Sequence, residues 1–428
     1  MIAKDTAYRV ESRDSSHEAR GKTLPWRPQL LRGSGVPAPP QSLNIAHVIG
    51  SFEVGGAERV ALALAGSQRD QGHRVHAISL AAGPPGPLAN AFSGCGVMTR
   101  TIAKRQGFDT RLTAKLAAFF ARDRVDVVHV HNPQPLIYGA PAGRLAGTAV
   151  IYTKHGANRD LGRRVWLRRA ATACVDAYVA VSDATAEVAR EDHEANERKL
   201  IVILNGIDTS NFCAIPSARA AIRQALRLPL NARVIGSVGR LSRPKSHDVL
   251  LRAAAPMLAG PDSAYLLFVG DGPERGNLER LAVRLSVDNH VVFTGNRDDV
   301  ARILNALDVF VLSSRSEGLP LVVIEAMATE LPVIASAVGG LPSVIEHERT
   351  GLLVSSSDDL ALRVAIGRVL VDEDGARTLG RRARAAVLER FSLQQMCRAH
   401  LSLYARVLRQ RRIDVTPDLM RTAVAACE

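Results

Sequence analysis

The chain has 428 residues, of which 46% are apolar and 23% charged. This length exceeds what one hydrophobic core usually serves, so we expect two domains plus tails. The five cysteines are scattered and never spaced as C-x-x-C, which argues against a disulfide framework or a zinc knuckle. The amino terminus has no apolar signal region, and no stretch reaches the about 20 apolar residues that cross a bilayer, so we expect a cytoplasmic protein.

The formal net charge is +13, from 55 Lys and Arg against 42 Asp and Glu. A basic excess of this size favours an anionic partner. Much of it is arginine in two clusters, residues 100–115 and 159–169. No aromatic-interleaved basic platform and no helix-turn-helix signature accompanies them, so nucleic acid is not the expected partner. The alternatives that stay open are a solvated basic face, a phosphate-bearing small molecule and an anionic membrane surface that the protein would touch peripherally.

Residues 1–42 are rich in Pro, Gly, Ser and charge without apolar periodicity, which predicts a disordered leader. From Leu43 onward, short apolar or β-branched runs alternate with amphipathic helices, a pattern typical of βαβ units and a parallel sheet. The runs of the first half are "NIAHVI", "RVHAISL", "VDVVHVH", "AVIYTKH" and "DAYVAVS". The alternation pauses at "LIVILNGIDTSNF", residues 200–212, and we expect the two halves to be joined near Asn205–Asp208.

The second half resumes with "RVIGSVGRL", "AYLLFVGDG", "HVVFTGN", "LDVFVLSS", "LPVIASA" and "TGLLV". We therefore predict two doubly wound, Rossmann-like domains over residues 43–208 and 209–390, facing each other across a cleft. A final helix over 391–412 would pack back across both domains, and residues 413–428 would form a loose tail.

Two glutamates bracket an apolar run in "SEGLPLVVIEA". Glu317 follows a buried strand, and Pro320 predicts a helix that begins at about Leu319. Glu325 then lies about one and a half turns inside, roughly 9 Å along the axis. A helix amino terminus at this edge of an open sheet is a phosphate site. We predict an anion seat between two hydrogen-bond acceptors, as a nucleotide sugar requires; a glycosidase pair, or a cap with a solvent-facing glutamate, is the alternative.

Arg240 and Lys245 occupy a glycine-containing loop between a strand and a helix of the same half. Two fixed cations there would reach one diphosphate and stabilise charge on a departing β-phosphate without a metal. Metal ligation has two weaker candidates. His129, His131 and His155 could bind zinc, because His-x-His on a strand points to one face. The acidic pair Asp372 and Asp374 lies between helices and is typical of surface charge, so we expect no metal.

"GDGPERG", residues 270–276, has the spacing G-x-G-x-x-x-G and no acidic ribose reader after the next strand. We interpret it as a tight turn into a helix and not as a dinucleotide site.

These motifs, together with "GSFEVGGAERVALALA", "VHVHNP", "YTKHG", "VSDATAEV", "LNGID" and "FTGNRDDV", occur in a fixed order along residues 44–410. In that order they resemble the retaining GT-B glycosyltransferases of family 4. Ser246 is one departure, since the family usually has glycine after the lysine.

The resemblance implies a role for each matching residue. Arg240 and Lys245 would hold the diphosphate, Glu317 would meet the donor sugar and Glu325 the ribose. The residues that would complete the donor site are the Gly318 and Leu319 amides, Gly55 and Gly56 of the glycine loop, His131 near the sugar, and Gly295, Asn296 and Arg297 at the base.

The implied activity is metal-independent, retaining transfer of a hexose-type sugar from a nucleoside diphosphate donor to an acceptor hydroxyl, without a cofactor. A UDP-sugar is the favoured donor and GDP-mannose the alternative. A glycan or a lipid-linked saccharide at the inner membrane face, in polysaccharide assembly, is the expected acceptor. The rival classes are a glycosidase, a nucleotide-sugar epimerase of similar shape, and a binding module that never turns its ligand over.

Overall fold

The structure is a computed structural model that describes residues 42–157, 165–260 and 264–411. The predicted leader, apart from Ser42, and the predicted tail lie outside the described residues. Within the described part, no helix is both long enough and apolar enough to cross a membrane.

Thirteen strands form two sheets in the described part of the chain. They are β1 Asn44–Ile49, β2 Arg74–Ser79, β3 Met98–Thr101, β4 Val127–His131, β5 Ala149–Lys154, β6 Ala177–Ala180, β7 Leu200–Val202, β8 Val234–Val238, β9 Tyr265–Val269, β10 Val291–Phe293, β11 Val309–Leu312, β12 Val333–Ser336 and β13 Leu352–Val354.

The first sheet has the order β3-β2-β1-β4-β5-β6-β7 and the second β10-β9-β8-β11-β12-β13, with every neighbouring pair parallel. The order reverses beside the first strand of each sheet, which is the doubly wound arrangement. The prediction of two parallel α/β sheets in tandem is therefore confirmed.

Fifteen α-helices cover the sheets in the described residues. They are α1 Gly56–Asp70, α2 Leu88–Gly94, α3 Thr110–Arg122, α4 Pro133–Leu145, α5 Val165–Thr172, α6 Asp183–Glu191, α7 Pro216–Ala225, α8 His247–Leu258, α9 Arg275–Arg284, α10 Val300–Leu304, α11 Leu321–Ala328, α12 Leu341–Val344, α13 Asp359–Val371, α14 Glu373–Arg390 and α15 Leu393–Gln410.

The central strands are buried along their whole length because helices cover both faces of each sheet, and parallel sheets of this kind read as near-continuous apolar runs. Two edge strands escaped prediction. In β3 all four residues, "MTRT", are exposed, so the segment carries no apolar signal. In β7 the three residues are only partly buried, and the segment was taken for the start of the linker.

The helix that carries Glu325 starts at Leu321 rather than at about Leu319. Pro320 caps it in an extended conformation, with ψ of 118°, and so lies just outside the first turn. Glu317 is thus four residues ahead of the helix, and the segment between them is an open loop.

The last two helices pack against different sheets. Helix α14 packs against α11, on the second sheet, whereas α15 packs against α1 and β5 of the first sheet. Met396, Leu403 and Tyr404 of α15 join the same buried cluster as Leu43 and Ile45. The domain boundaries proposed from the sequence stay predictions, but the first sheet's core includes side chains from the end of the described chain.

Candidate active site

The predicted cation and carboxylate of the second half are in direct contact. Lys245 follows β8 in a short 3-10 helix, and Glu317 follows β11; these strands are neighbours in the sheet. Lys245 Nζ lies 2.6 Å from Glu317 Oε1, to which Ser314 Oγ also donates at 2.5 Å. Without a ligand, the two groups therefore satisfy each other.

Arg240 contributes a charge that no residue in the described part of the chain compensates. The residue is exposed, and its guanidinium has no hydrogen-bond or ion-pair partner among residues 42–157, 165–260 and 264–411. Its loop is held close to the turn after β9, since a Cβ at Gly270 would overlap the Gly239 carbonyl oxygen and one at Gly272 that of Leu241. The interpretation of residues 270–276 as a turn into a helix agrees with this packing and with the start of α9.

Ser246 ends the lysine loop in a left-handed conformation, φ 48° and ψ 44°. Left-handed backbone costs about 1–2 kcal/mol for a residue with a Cβ, and glycine avoids that cost. Ser313 Oγ donates to the Ser246 carbonyl at 2.9 Å, which holds the bend in place. Serine therefore supports the same local bend that glycine would.

Glu325 is buried in α11, with 3% of its side chain exposed. Its Oε1 lies 3.6 Å from the Arg59 guanidinium of α1, and its Oε2 has no hydrogen-bond partner in the described structure. Burial raises the pKa of the carboxyl above its usual value, and Arg59 opposes that rise. Glu325, the proposed ribose acceptor, therefore has one carboxylate oxygen without a hydrogen bond in the described structure. Arg59 of the first half lies against its other oxygen.

The loop between the two glutamates is packed against the first half. A Cβ at Gly318 would overlap the His155 carbonyl oxygen. Asn205 Nδ2 donates to the Leu319 carbonyl at 3.1 Å and Ser182 Oγ to that of Gly318 at 3.4 Å. The amides of Gly318 and Leu319 donate to no other described residue. Two unpaired N–H groups at the mouth of α11 suit an anionic oxygen.

The other predicted donor contacts lie at the same edges of the two sheets. Gly55 caps α1 and Gly56 begins it, one turn before Arg59. Gly295 has φ 69°, and its carbonyl accepts from the Gly270 amide at 2.9 Å. Asn296 is exposed, and Arg297 forms two 2.8 Å bonds with Asp299. A base contact by Arg297 would have to compete with that pair.

His131 belongs to a cluster of five histidines against the first sheet, four of them buried and His155 partly buried. His47 lies on β1, His129 and His131 on β4, His155 just after β5, and His400 on α15. The closest rings, His129 and His131, have centroids 4.1 Å apart. Both ring nitrogens of His131 are engaged at 3.0 Å, Nε2 by His47 and Nδ1 by His155. Its contact with a sugar stays a prediction.

A different histidine trio from the predicted one comes within reach of a common cation: His47, His129 and His131, with ring nitrogens within 4.8 Å of one another. Each of their ring nitrogens already has a hydrogen-bond partner at 2.7–3.0 Å. A cation would have to break several of these bonds, so hydrogen bonding accounts for the trio better than ligation does.

The acidic alternative has structural roles. Asp372 Oδ1 accepts from the Gly375 amide at 2.9 Å and so caps α14. Asp374 pairs with Arg377 at 2.8 Å.

An open cavity of about 570 Å³ lies at the carboxyl ends of β1 and β2. Lys104, Arg105 and Gln134 contribute to its lining. Lys104 Nζ donates to the carbonyls of Arg105 and Gly107 at 2.8 and 2.6 Å, which stabilises the local bend of the loop. The first basic cluster of the sequence therefore borders a cavity on the side of the first sheet.

The second basic cluster is not uniformly exposed. Residues 158–164 lie outside the described part. Arg168 is 3% exposed and lies 2.7 Å from Glu194, which also binds Lys154 at 2.9 Å. Arg168 is therefore not part of an exposed basic surface, because a buried carboxylate holds it. Arg169 and Trp166 of the same helix are exposed, Trp166 by 67%.

Sequence reasoning missed the residues that join the halves or the histidines. These residues contact partners that are distant in the sequence. They are Arg59, Ser182, Asn205, Gln68 and Tyr404. A usable signal existed for the histidines, since "NIAHVI" and "VHVH" place polar rings inside runs that are otherwise wholly buried.

Two doubly wound parallel sheets in tandem have the architecture of a GT-B glycosyltransferase. Profiles of known families agree. "Glycosyltransferase Family 4" matches residues 54–211 and "Glycosyl transferases group 1" matches residues 232–372. The chain belongs to glycosyltransferase family 4 and is an enzyme of that class.

Its relatives act on different donors and acceptors. N-acetyl-alpha-D-glucosaminyl L-malate synthase of Bacillus anthracis is 27% identical over 83% of this chain and 95% of its own. A GDP-mannose-dependent alpha-(1-6)-phosphatidylinositol monomannoside mannosyltransferase of Mycobacterium tuberculosis is 30% identical over 63% of this chain and 73% of its own. The E. coli UDP-Gal:alpha-D-GlcNAc-diphosphoundecaprenol alpha-1,3-galactosyltransferase is 28% identical over 67% and 76%.

Among solved structures, Anabaena HepE in complex with UDP superposes with a TM-score of 0.76 over 85% of this chain and 100% of its own, at 23% identity. This likeness confirms the GT-B fold.

Proposed function

We propose that the protein transfers a hexose-type sugar from a nucleoside diphosphate sugar to an acceptor hydroxyl, with retention at the anomeric carbon. The observation that carries the proposal is the pairing of Lys245 with Glu317 at 2.6 Å, beside the unpaired amides of Gly318 and Leu319. A diphosphate would supply an anion to this arrangement. Its oxygens would pair with Lys245 and accept hydrogen bonds from the amides of Gly318 and Leu319.

Donor binding then rearranges charges that already exist. As the diphosphate binds Lys245 and Arg240, it releases Glu317 to accept hydrogen bonds from sugar hydroxyls. The ribose diol donates to Glu325, whose Oε2 has no partner in the described structure. Gly55 and Gly56 let the loop before α1 approach the phosphates, and residues 295–297 border the base.

The transfer needs no nucleophile from the protein. The bond between the anomeric carbon and the β-phosphate oxygen breaks, and the acceptor oxygen bonds to the same carbon on the same face. The acceptor's proton passes to the departing phosphate oxygen. Arg240 and Lys245 stabilise the charge that develops on that phosphate, the role that fixed cations fill at such sites.

A UDP-sugar is the favoured donor, and the name of the E. coli relative and the UDP complex of HepE support it. The mycobacterial relative's name supports GDP-mannose as the alternative. An epimerase would convert the donor with no acceptor present, so product analysis without acceptor separates that candidate.

The cavity beside Lys104 and Arg105 supports an acceptor side on the first sheet. Two cations there favour a glycan or lipid-linked saccharide that carries an anionic group, as in polysaccharide assembly. Exposed Trp166 and Arg169 of α5 support peripheral binding to an anionic membrane, since an indole at a headgroup surface beside a basic residue gains both apolar and electrostatic contacts.

The test combines ligand binding with turnover. Thermal shifts should identify one nucleoside diphosphate and its sugar, because a ligand that binds the folded state raises the melting temperature. Lys245→Ala should lower transfer by roughly 100-fold or more while the free protein melts normally. Arg280→Ala, on the exposed surface of α9, is the matched control. Full turnover by Lys245→Ala, or donor hydrolysis as the main reaction, would contradict the proposal.

A further inference from the structure

The histidine cluster forms a continuous hydrogen-bonded chain that starts at Gln68 of α1. Gln68 Oε1 lies 2.8 Å from His47 Nε2; His47 Nδ1 lies 3.0 Å from His131 Nε2; His131 Nδ1 lies 3.0 Å from His155 Nε2. Gln68, His47 and His131 are at most 2% exposed. Burial lowers the pKa of His47 to about 4 and that of His155 to about 3, and lowers that of His131 as well. The three rings are therefore neutral, and each carries a single proton.

One proton per ring gives the chain a direction. A carbonyl oxygen only accepts, so His47 Nε2 donates to Gln68 and His47 Nδ1 is an acceptor. His131 Nε2 must then donate to His47, which leaves His131 Nδ1 an acceptor for the proton on His155 Nε2. The last nitrogen, His155 Nδ1, is left with a lone pair.

With the amide oxygen of Gln68 toward His47, its amide nitrogen faces a second branch of the network. Its Nε2 donates to the Tyr404 hydroxyl at 3.4 Å, and Tyr404 lies 2.7 Å from His129 Nδ1. His129 Nε2 lies 2.7 Å from Thr153 Oγ1, which completes the branch. A flipped amide would reverse every bond and put a proton on His155 Nδ1.

His155 Nδ1 is buried and has no hydrogen-bond partner in the described structure. A buried N–H without an acceptor is rarer in proteins than an underused acceptor, which favours the unflipped amide. The residue also lies where the halves meet, because its carbonyl packs against Gly318, next to Glu317. The hydrogen-bonded chain therefore ends on a ring nitrogen without a donor, in a residue whose backbone contacts Gly318.

We infer that His155 Nδ1 accepts a hydrogen bond from a substrate hydroxyl, and that Gln68 is the positioning residue that keeps it an acceptor. The inference rests on the proposed function for the identity of the substrate but not for the direction of the chain. In this assignment the nitrogen that faces the sugar belongs to His155. The role of His131 is to link His47 to His155, so that the protonation of His47 fixes that of His155. The opposite tautomer, with the proton on Nδ1, would donate a hydrogen bond to a phosphate oxygen or to a hydroxyl oxygen and could not accept one.

The tautomers are measurable without any substrate, by NMR of the full chain labelled with ¹⁵N-histidine. We expect His155 to carry its proton on Nε2 and none on Nδ1. Gln68→Met, which is similar in size and has no amide, should shift His155 toward the Nδ1-protonated form. A proton on His155 Nδ1 in the unmodified protein, an unchanged tautomer in Gln68→Met, or one tightly held metal ion per chain would each overturn the assignment.

Turnover supplies the second arm. Gln68→Met should lower kcat about tenfold with the donor KM unchanged, the size of one lost hydrogen bond. In His155→Asn the side-chain oxygen can stand in for Nδ1, so we expect most activity to survive; His155→Gln places its amide at the Nε2 position and should lose about tenfold more. Equal activity of the two variants, with equal melting temperatures, would overturn the role of Nδ1. Failure of the unmodified protein to transfer any sugar would count against the proposed function, and NMR would still decide the tautomer.

Discussion

Arg59 of α1 and Glu325 of α11 face each other where the two halves meet, the guanidinium 3.6 Å from the carboxylate. The arginine is partly exposed, and the carboxylate is buried. Because the second carboxylate oxygen has no partner in the described structure, the pair is an incomplete substitute for a ligand. Glu325, which we propose to bind the ribose, therefore destabilises the protein when no ligand is bound.

Glu325→Gln should accordingly separate stability from function. Burial raises the pKa of this carboxyl, so its ionised form destabilises the fold, and the destabilisation is absent below the usual pKa and grows as the pH rises through the raised one. At pH 7 we expect Glu325→Gln to melt at the same temperature or higher, yet to bind the donor at least about tenfold more weakly. Glu389→Gln, exposed on α14, is the control and should change neither. A variant that is clearly less stable and still binds normally would refute this account.

Gly318→Ala should disturb the contact between the halves. The added Cβ would overlap the His155 carbonyl oxygen, which is backbone and cannot rotate away. We expect a loss of stability of roughly 1–3 kcal/mol, measured by urea unfolding, together with loss of transfer. Gly276→Ala on α9 meets only the flexible end of Arg280 and should stabilise its helix slightly. The idea fails if both variants unfold at the same urea concentration as the unmodified protein.

The buried histidines should make stability fall on mild acidification. Burial lowers the pKa of all five, to about 4 for His47 and His400 and about 3 for His155. Their contribution is complete above the usual value near 6.5 and is lost as the pH falls toward the lowered values, because the unfolded chain binds protons that the folded chain cannot. Each histidine adds a slope of at most about 1.4 kcal/mol per pH unit in that window.

Urea unfolding between pH 7 and pH 5 measures this slope. His400→Leu should make the slope of the unfolding free energy against pH shallower by about the contribution of one histidine. His193→Asn, at an exposed position, should leave the slope unchanged. Asparagine also tolerates the positive φ of residue 193. A free energy of unfolding that stays flat from pH 7 to pH 5 would contradict the neutral cluster.

Membrane binding can be tested without disturbing the core. Arg168 must be left intact because Glu194 would lose its buried partner. Trp166→Ser combined with Arg169→Glu should weaken sedimentation with anionic vesicles severalfold, and Arg381→Glu on α14 should not. Equal sedimentation of all three proteins would exclude α5 as the docking surface.

The sequence predicted the second half best. All six strands of its sheet coincide with apolar runs. The central strands are apolar because they are buried on both faces, and the edge strands β10 and β13 are apolar although only partly buried. The placement of Lys245 and Glu317 at one edge of the sheet also followed, since strand ends of one parallel sheet share an edge, but their direct ion pair was not predicted. Strand β3 was missed because an exposed edge strand has no such signal.

Contacts between distant segments were beyond sequence reasoning. The sequence around Arg168 does not predict its contact with Glu194, and the sequence around Glu325 does not predict its contact with Arg59. In both cases the charge looks like ordinary surface charge until the fold supplies a buried partner. Ser246 shows the converse, since the backbone it adopts is left-handed even though the residue there is not glycine.

The return of α15 to the first sheet sets an order on synthesis. Tyr404, which is fully buried, and Met396 and Leu403, which are nearly so, complete a core whose buried members outside α15 lie between residues 43 and 203. Domains generally fold in the order in which they leave the ribosome. Here the earlier half cannot close its core until the later half has been translated, so the nascent chain must carry an unfinished apolar surface for most of its length. A chaperone that binds this surface would act late in translation, and a stop codon before α15 would leave both halves made but the first unsealed.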